Sequence, residues 1–337
     1  MDVKPSAKSA LKRIALAVCL GLGLHTATAA PKLDFSSEYN AGSIHVEGDT
    51  FFIEQVEALA GDEVKITLHL GGSLGYKSPD HFYAVADNAV QIADTLAGFF
   101  GGVDPILLLS SLPFVVSDVD EAKALYEIAR PHYEQVFADN EQILLYASPW
   151  PPTGIWAKKP IVSADSLRNL KIRTFDRTGT QVFKEAGAAS ISLAWGDVVP
   201  QLATGGIEAV LTFADLGAAA SFWEQQSDFS GVQYAIPLNM VHMNREAFES
   251  LSDAAQAAIL EAARRTEARN WETVRTRVAG NYETLAAHQV AIHDPIPDDF
   301  RAFLGQASEP AIREWLDGTG ERGAAVMTGF EAWKAQR

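Results

Sequence analysis

Cysteine is nearly absent from this chain. Cys19 is the only one in 337 residues. No intramolecular disulfide can therefore staple the fold, and stability must come from an apolar core. Positive charge is scarce too: 27 Lys and Arg stand against 43 Asp and Glu, a net charge of −16. Such a surface repels nucleic acid and anionic lipid headgroups, and an anionic ligand would need a local positive site. Beyond the first 29 residues no apolar run is long enough to cross a bilayer. Familiar catalytic signatures are missing as well. There is no Gly-x-Ser-x-Gly elbow, no Walker loop, no Gly-x-Gly-x-x-Gly turn and no His-Glu-x-x-His pair. The eight histidines are scattered without metal-ligand spacing, so His69, His81 and His242 read as core or surface residues. No metal or cofactor is expected. An enzyme whose site is assembled from distant residues stays open.

What is present begins with a leader. Lys4, Lys8, Lys12 and Arg13 precede the apolar stretch Ile14 to Leu24, and Ala27-Thr28-Ala29 follows as a small-x-small cleavage pattern. Residues 1–29 thus read as a cleaved secretory signal, and Cys19 leaves with it. The leader carries four basic residues and one acid, so the remainder has a net charge of −19. About 300 residues remain, which suits two lobes better than one. The 47% hydrophobic and 21% charged content of the whole sequence is that of an ordinary globular protein.

The remainder alternates strand-like and helix-like segments, an α/β pattern. Val64 to Leu70 alternates apolar and polar residues as a strand does. Asp80 to Ala89 reads as a helix, and Val90 to Asp94, Ile143 to Ala147, Lys171 to Thr174 and Ile207 to Phe213 read as strands. Thr178 to Ala186 is a helix closed by Gly187, and Trp195 to Ala203 another, stopped by Gly205-Gly206. Ser252 is a good N-cap, with Asp253 in the first turn. Apolar residues then recur at three- and four-residue steps to about His288, with no proline and only Gly280 as a glycine. One helix of that length reaches roughly 50 Å, enough to brace both lobes. The sequence holds no internal repeat and no low-complexity linker.

An ordered set of short motifs runs through the chain: Tyr39-Asn40-Ala41-Gly42, Ser73-Leu74-Gly75, Tyr83 to Asp94, Leu112-Pro113-Phe114-Val115, Leu170-Lys171-Ile172-Arg173, Leu193 to Val199, and Gln201 to Val210. This set resembles the solute-binding proteins of tripartite ATP-independent periplasmic (TRAP) transporters, the DctP-like family. The resemblance implies an α/β, two-lobed periplasmic binding protein of the Venus-flytrap type with a long helix spanning both lobes. Lobe 1 would hold 30–150 with about 240–278, and lobe 2 would hold 151–239 with about 279–337. It implies a non-enzymatic receptor that delivers an organic acid to small and large membrane subunits. A periplasmic sensor would use the same fold. The C-terminal stretch from Ala324 to Arg337 is amphipathic enough to pack on a lobe, so a monomer is expected.

The resemblance also assigns the site. Arg173 would clamp the substrate carboxylate through two parallel charge-assisted hydrogen bonds, and Trp195 would stack on the ligand. Asn40 would supply a polar contact from the opposite lobe, and Asp94, closing the Tyr83 segment, joins the candidates. Two departures narrow the ligand. Where the family often places a polar Asp-Gly-Gln-Glu-Asn run, this chain has Glu208-Ala209-Val210-Leu211-Thr212 and then Phe213. Where many members carry a second arginine, it has Pro152 or Thr153. Trp150 and Trp156 flank these prolines in a segment expected to be a rigid loop. The expected ligand is a monocarboxylate with an apolar or aromatic tail, held by Arg173 and walled by Trp150, Trp156, Trp195, Thr212, Phe213 and either Phe82 or Phe99. A dicarboxylate, 2-oxo acid or sugar acid is the alternative within the family.

Overall fold

The computed structural model describes residues 30–337. The leader expected over 1–29, with Cys19, lies outside the described residues. The chain opens with β1 (Lys32–Ser37), α1 (Ile44–Ala60), β2 (Lys65–His69), α2 (Ser78–Ala86) and β3 (Ile92–Leu96). Then come α3 (Val119–Asp139), β4 (Gln142–Pro149), β5 (Thr153–Ala157), α4 (Ala164–Leu167), β6 (Lys171–Thr174) and α5 (Arg177–Glu185). Next are β7 (Ala189–Ser192), α6 (Val198–Thr204), β8 (Ala209–Phe213), α7 (Ala214–Ala219), β9 (Asp228–Ser230) and β10 (Leu238–Asn244). The chain closes with α8 (Arg245–Glu249), α9 (Asp253–Ala287), β11 (Ala291–His293) and α10 (Asp298–Lys334).

Two mixed sheets result, each the centre of one lobe. The first runs in the order β2-β1-β3-β10-β4, the second β11-β9-β5-β8-β6-β7. In the first, β1 is parallel to β2 and β3, while β10 lies antiparallel to β3 and β4. In the second, β6 is parallel to β7 and β8, and β5 runs against β8 and β9. The strands of β3, β5, β8 and β10 are buried along their whole length, as helix-covered strands must be. The chain crosses between sheets after β4 and returns before β10. These two crossings pair with each other: Trp150 N donates to Pro237 O at 2.9 Å, and Thr153 N donates to Ala235 O at 3.0 Å.

The long helix α9 braces both lobes. Ser252 caps it, its Oγ accepting from Ala255 N at 3.1 Å. Ile259, Ala262 and Ala263 pack into the core under the first sheet. Trp271 joins a second first-lobe cluster, and Val274 and Leu285 reach the core of the second lobe. The helix runs unbroken for 35 residues through Gly280.

Several boundaries differ from the sequence-based expectation. The strand placed at 90–94 lies at Ile92–Leu96, because Ala86 ends the helix before it and a tight turn fills the gap. The helix expected from Trp195 begins as a 3-10 turn over Trp195–Asp197 before α6 takes over, and Gly205 closes it at φ 71°. The final helix α10 bends at Gly320 (φ 58°, ψ −136°). Before the bend, Phe300, Leu304 and Ala311 pack in the second lobe. From Trp315 onward, Val326 and Phe330 pack against the first lobe. Residues 279–337, placed wholly on the second lobe by sequence, are therefore divided between the two. Among the described residues no helix is long and apolar enough to cross a membrane.

Candidate functional site

The two parallel strands that end at the cleft, β6 and β8, supply its chemistry. Ligand crevices in α/β sheets form beyond the carboxyl ends of such strands. Arg173 sits on β6 opposite Ile191 of β7 and Val210 of β8. It is only 2% exposed. Its Nε and Nη2 both donate to the Leu193 carbonyl, at 3.0 and 2.7 Å, and Nη1 donates to Leu211 O at 3.4 Å. A guanidinium has five N–H groups, so one remains on each terminal nitrogen. Those two are left to donate to a carboxylate. Among the described residues no carboxylate pairs with Arg173. Burial lowers its pKa to about 10, partly offset by the more distant Glu38, Tyr39 and Asp176. A buried cation without a counter-ion is costly, and an anionic ligand removes that cost.

Around these groups lies a narrow pocket with about 260 Å³ of empty space, open solvent included. Trp195 forms one wall, with the Arg173 Cζ 5.9 Å from its ring centroid. Trp150 and Phe213 form another, their rings stacked at 4.3 Å and 2°. Thr212, 1% exposed, brings a hydroxyl with no partner. From the first lobe come Tyr39, Leu96 and Phe99. Arg173 is the only cation among the lining residues.

Behind the first-lobe wall lies a buried polar chain. The Trp150 Nε1–H donates to Asn239 Oδ1 at 2.7 Å, and the Tyr39 hydroxyl donates to the same oxygen at 3.3 Å. Asn239 Nδ2 donates in turn to Asp94 Oδ1 at 2.8 Å. Because indole N–H only donates, the Asn239 amide is fixed in this orientation. Burial holds the Tyr39 phenol well above its usual pKa, so it stays protonated.

Bonds between the lobes close the cleft. Glu38, buried after β1, accepts from Gly196 N at 2.8 Å through Oε1 and from Ser78 N at 2.9 Å through Oε2. It thereby ties the turn carrying Trp195 to the first lobe. Lys77 pairs with Asp197 at 2.7 Å. Asp215 of α7 accepts from Ile44 N at 3.0 Å and pairs with Arg277 of α9, which also reaches Glu47 at 3.0 Å.

The structure brings Arg173, Trp195, Thr212, Phe213, Trp150 and Phe99 to one cavity. It does not bring the other candidates there. Asn40 is exposed outside it, and its neighbour Tyr39 lines the wall instead. Trp156 lies not in a loop but within β5, fully buried, its ring edge-on to Phe222 at 5.6 Å and Phe229 at 5.3 Å. There it supports the site from beneath, donating from Nε1 to Phe213 O at 3.1 Å. Phe82 packs in the first-lobe core. Asp94 is fully buried, two hydrogen bonds behind the wall through Asn239. Sequence reasoning missed Glu38, Tyr39, Phe175, Leu216 and Asn239. Only Tyr39 carried a signal, lying within the Tyr39-Asn40-Ala41-Gly42 motif.

A larger crevice of about 1020 Å³, including open solvent, lies beside Lys158, Lys159 and Arg168. It opens at the amino ends of β6 and β8, the wrong end of the sheet for such a ligand crevice. Among the described residues no group of three or more His, Cys, Asp or Glu side chains could hold a metal.

Comparison with known proteins agrees with this geometry. The family model for bacterial extracellular solute-binding proteins, family 7 (DctP), matches residues 35–317. The chain is similar to DctP6 of Bordetella pertussis, an extracytoplasmic solute receptor binding pyroglutamic acid. The two are 30% identical, with 89% of this chain and 99% of that one covered and a TM-score of 0.85. DctP7 of the same organism, also binding pyroglutamic acid, is 25% identical over 90% of this chain and all of the other, at 0.86. The ectoine-binding periplasmic protein TeaA of Halomonas elongata is 23% identical over 325 residues, 93% of each chain.

Proposed function

Because the chain belongs to family 7 of the bacterial extracellular solute-binding proteins, the DctP family of TRAP solute receptors, we propose that it captures a small monocarboxylate between its lobes and presents it to a TRAP membrane complex. The observation that carries this reading is the Arg173 fork: a buried guanidinium with two free N–H groups and no counter-ion, beside the unpartnered Thr212 hydroxyl. One cation in the lining suits one carboxylate; a second carboxylate would be buried unpaired. The aromatic walls suit an apolar or ring-shaped remainder. That DctP6 and DctP7 bind pyroglutamic acid, a compact cyclic monocarboxylate, supports the same class here.

The mechanism is lobe closure. A ligand that contacts both lobes stabilises the shut state by its differential affinity for it. Glu38–Gly196, Lys77–Asp197 and Asp215–Ile44 then form across the cleft. The family is one of receptors rather than enzymes, and the leader expected at the N-terminus fits export to the periplasm.

A thermal-shift screen tests the reading. Pyroglutamate, aliphatic and aromatic monocarboxylates, 2-oxo acids, dicarboxylates and sugar acids are compared on the purified protein. A ligand at a hundred times its Kd stabilises by about 2.7 kcal/mol. Shifts with compact monocarboxylates are expected. Shifts confined to dicarboxylates or sugar acids would overturn the single-clamp reading.

A further inference from the structure

Behind the pocket wall, two carboxyl groups share a space with no cation. Asp94 of β3 is fully buried and Asp49 of α1 is 1% exposed. Asp49 stands one helical turn beyond His45, whose Nδ1 lies 4.0 Å from Asp94 Oδ2, and each carboxyl group perturbs the ionisation of the other. Each has one oxygen satisfied: Asp94 Oδ1 by Asn239 Nδ2 at 2.8 Å, Asp49 Oδ1 by the Tyr146 hydroxyl at 3.1 Å. Each has its other oxygen, Oδ2, buried and without a donor. Carboxylates only accept, so two neighbouring buried Oδ2 atoms without a donor favour a proton on at least one of them.

Every element packed around the pair leaves that preference standing. From α1 comes His45, its Nδ1 4.0 Å from Asp94 Oδ2, beyond hydrogen-bond length, and its Nε2 unpartnered. Burial and nearby Arg277 hold His45 well below its usual pKa, so it stays neutral. From β4 comes the Tyr146 phenol and from β10 the neutral Asn239. From α9 comes Arg277, engaged by Asp215 and Glu47. After β1 come Tyr39 and Glu38, the latter a further negative charge held between Ser78 and Gly196.

The pair also touches the ligand cavity through a short chain. Asp94 holds Asn239, and Asn239 receives the hydrogen bonds of both Trp150 and Tyr39, which line the wall. The His45 ring lies 4.0 Å from the Trp150 ring. Asp94 also stands on β3, which flanks β1 where the order of the first sheet reverses direction. Such switch points are where α/β sheets receive ligands.

We propose that Asp49 and Asp94 form a proton-binding site behind the pocket, and that capture of the anionic ligand is linked to the proton held there. This rests on the carboxylate-receptor reading above. Glu38 does not pair with Arg173 but is a second charge near the cleft; with the ligand carboxylate added, negative charge there exceeds positive, and an ionised Asp94 would add to that excess in a dry compartment. The bound state therefore retains the proton more strongly than the free state. Burial raises Asp94 to about 7 and pushes Asp49 well above its usual value. Below about pH 7 the free protein already carries the proton and affinity is flat. Above it, binding must take a proton up, and affinity falls towards tenfold per pH unit.

The test is calorimetry with pyroglutamate from pH 6 to 8.5, in buffers of different ionisation heat, together with infrared detection of protonated carboxyl groups in the ligand-free protein. The proposal expects a protonated-carboxyl band at pH 6 that weakens in D49N and D94N. It expects uptake of up to one proton on binding above pH 7. In D94N, whose amide imitates the protonated acid, the pH slope should vanish. Pyroglutamate binding with a flat wild-type pH profile, or no protonated carboxyl at pH 6, overturns the proton site and leaves the receptor reading intact. No binding at any pH refutes the receptor reading, and the linkage with it.

Discussion

Replacing Arg173 with methionine separates a ligand clamp from a structural prop. Methionine keeps most of the side-chain volume and removes the charge. In the free protein the guanidinium is buried without a counter-ion, and burial pulls its pKa down to about 10. Its three bonds go to two backbone carbonyls, of Leu193 and Leu211. Because the donor is charged, losing them costs about 1.5–3 kcal/mol each, and removing an uncompensated buried charge returns several. The two effects oppose each other, so the melting temperature should change little. Binding should collapse, because the ligand carboxylate would be buried unpaired. That costs about 3–5 kcal/mol, or roughly 150- to 5,000-fold in Kd. Scanning fluorimetry and calorimetry on R173M measure the two effects. A clear loss of melting temperature together with affinity would make Arg173 a prop for its carbonyls, and a Kd within threefold of wild type would refute the clamp outright.

Thr212→Val removes a hydroxyl that has no partner in the free protein. Stability should be unchanged, whereas loss of a hydrogen bond to a charged ligand weakens binding by about 1.5–3 kcal/mol, read by calorimetry. Glu38→Gln turns a charge-assisted acceptor into a group that must direct an amide N–H at either Gly196 N or Ser78 N. Affinity should fall about tenfold through faster release, measured by stopped-flow fluorescence of the cleft tryptophans; an unchanged release rate would remove Glu38 from closure. Gly154→Ala would place a Cβ 2.2 Å from the Phe229 ring and 2.8 Å from Ser230 O. That overpacking costs about 1–3 kcal/mol of stability in a urea titration, and a variant as stable as wild type would show that β5 can shift aside.

The elements legible in the sequence were those written locally. Strand β6 was placed at its observed bounds because Lys171-Ile172-Arg173-Thr174 alternates between a turn and a helix. The cap at Ser252 and the apolar stripe of α9 are likewise contained in their own residues. The bend at Gly320 was not, because one glycine in a helical pattern looks the same whether it bends or not. At the site, Arg173 followed from the motif that also fixes its strand. Trp156 was misplaced because Pro151-Pro152 suggests a loop, while the run that makes β5 a buried central strand is only five residues long and shows no alternation. Glu38 and Asn239 left no local trace. Their roles come from partners 158 and 89 residues away, Gly196 and Trp150, and such pairings exist only once both sheets have formed.

The bend in α10 has a consequence for how this protein can change. Because the last helix returns to the first lobe, the described chain both enters and leaves there, and the second lobe is chiefly an insert bounded by two crossings. That insert, residues 150–237, carries Trp150, Arg173, Phe175, Trp195, Thr212, Phe213 and Leu216, most of the cavity lining. On the proposed reading, ligand choice would sit as a cassette in one contiguous stretch, supported from outside by α9 and the first half of α10. Grafting that stretch from a relative should transfer its preference, while the first lobe, with both ends of the described chain, stays as it is.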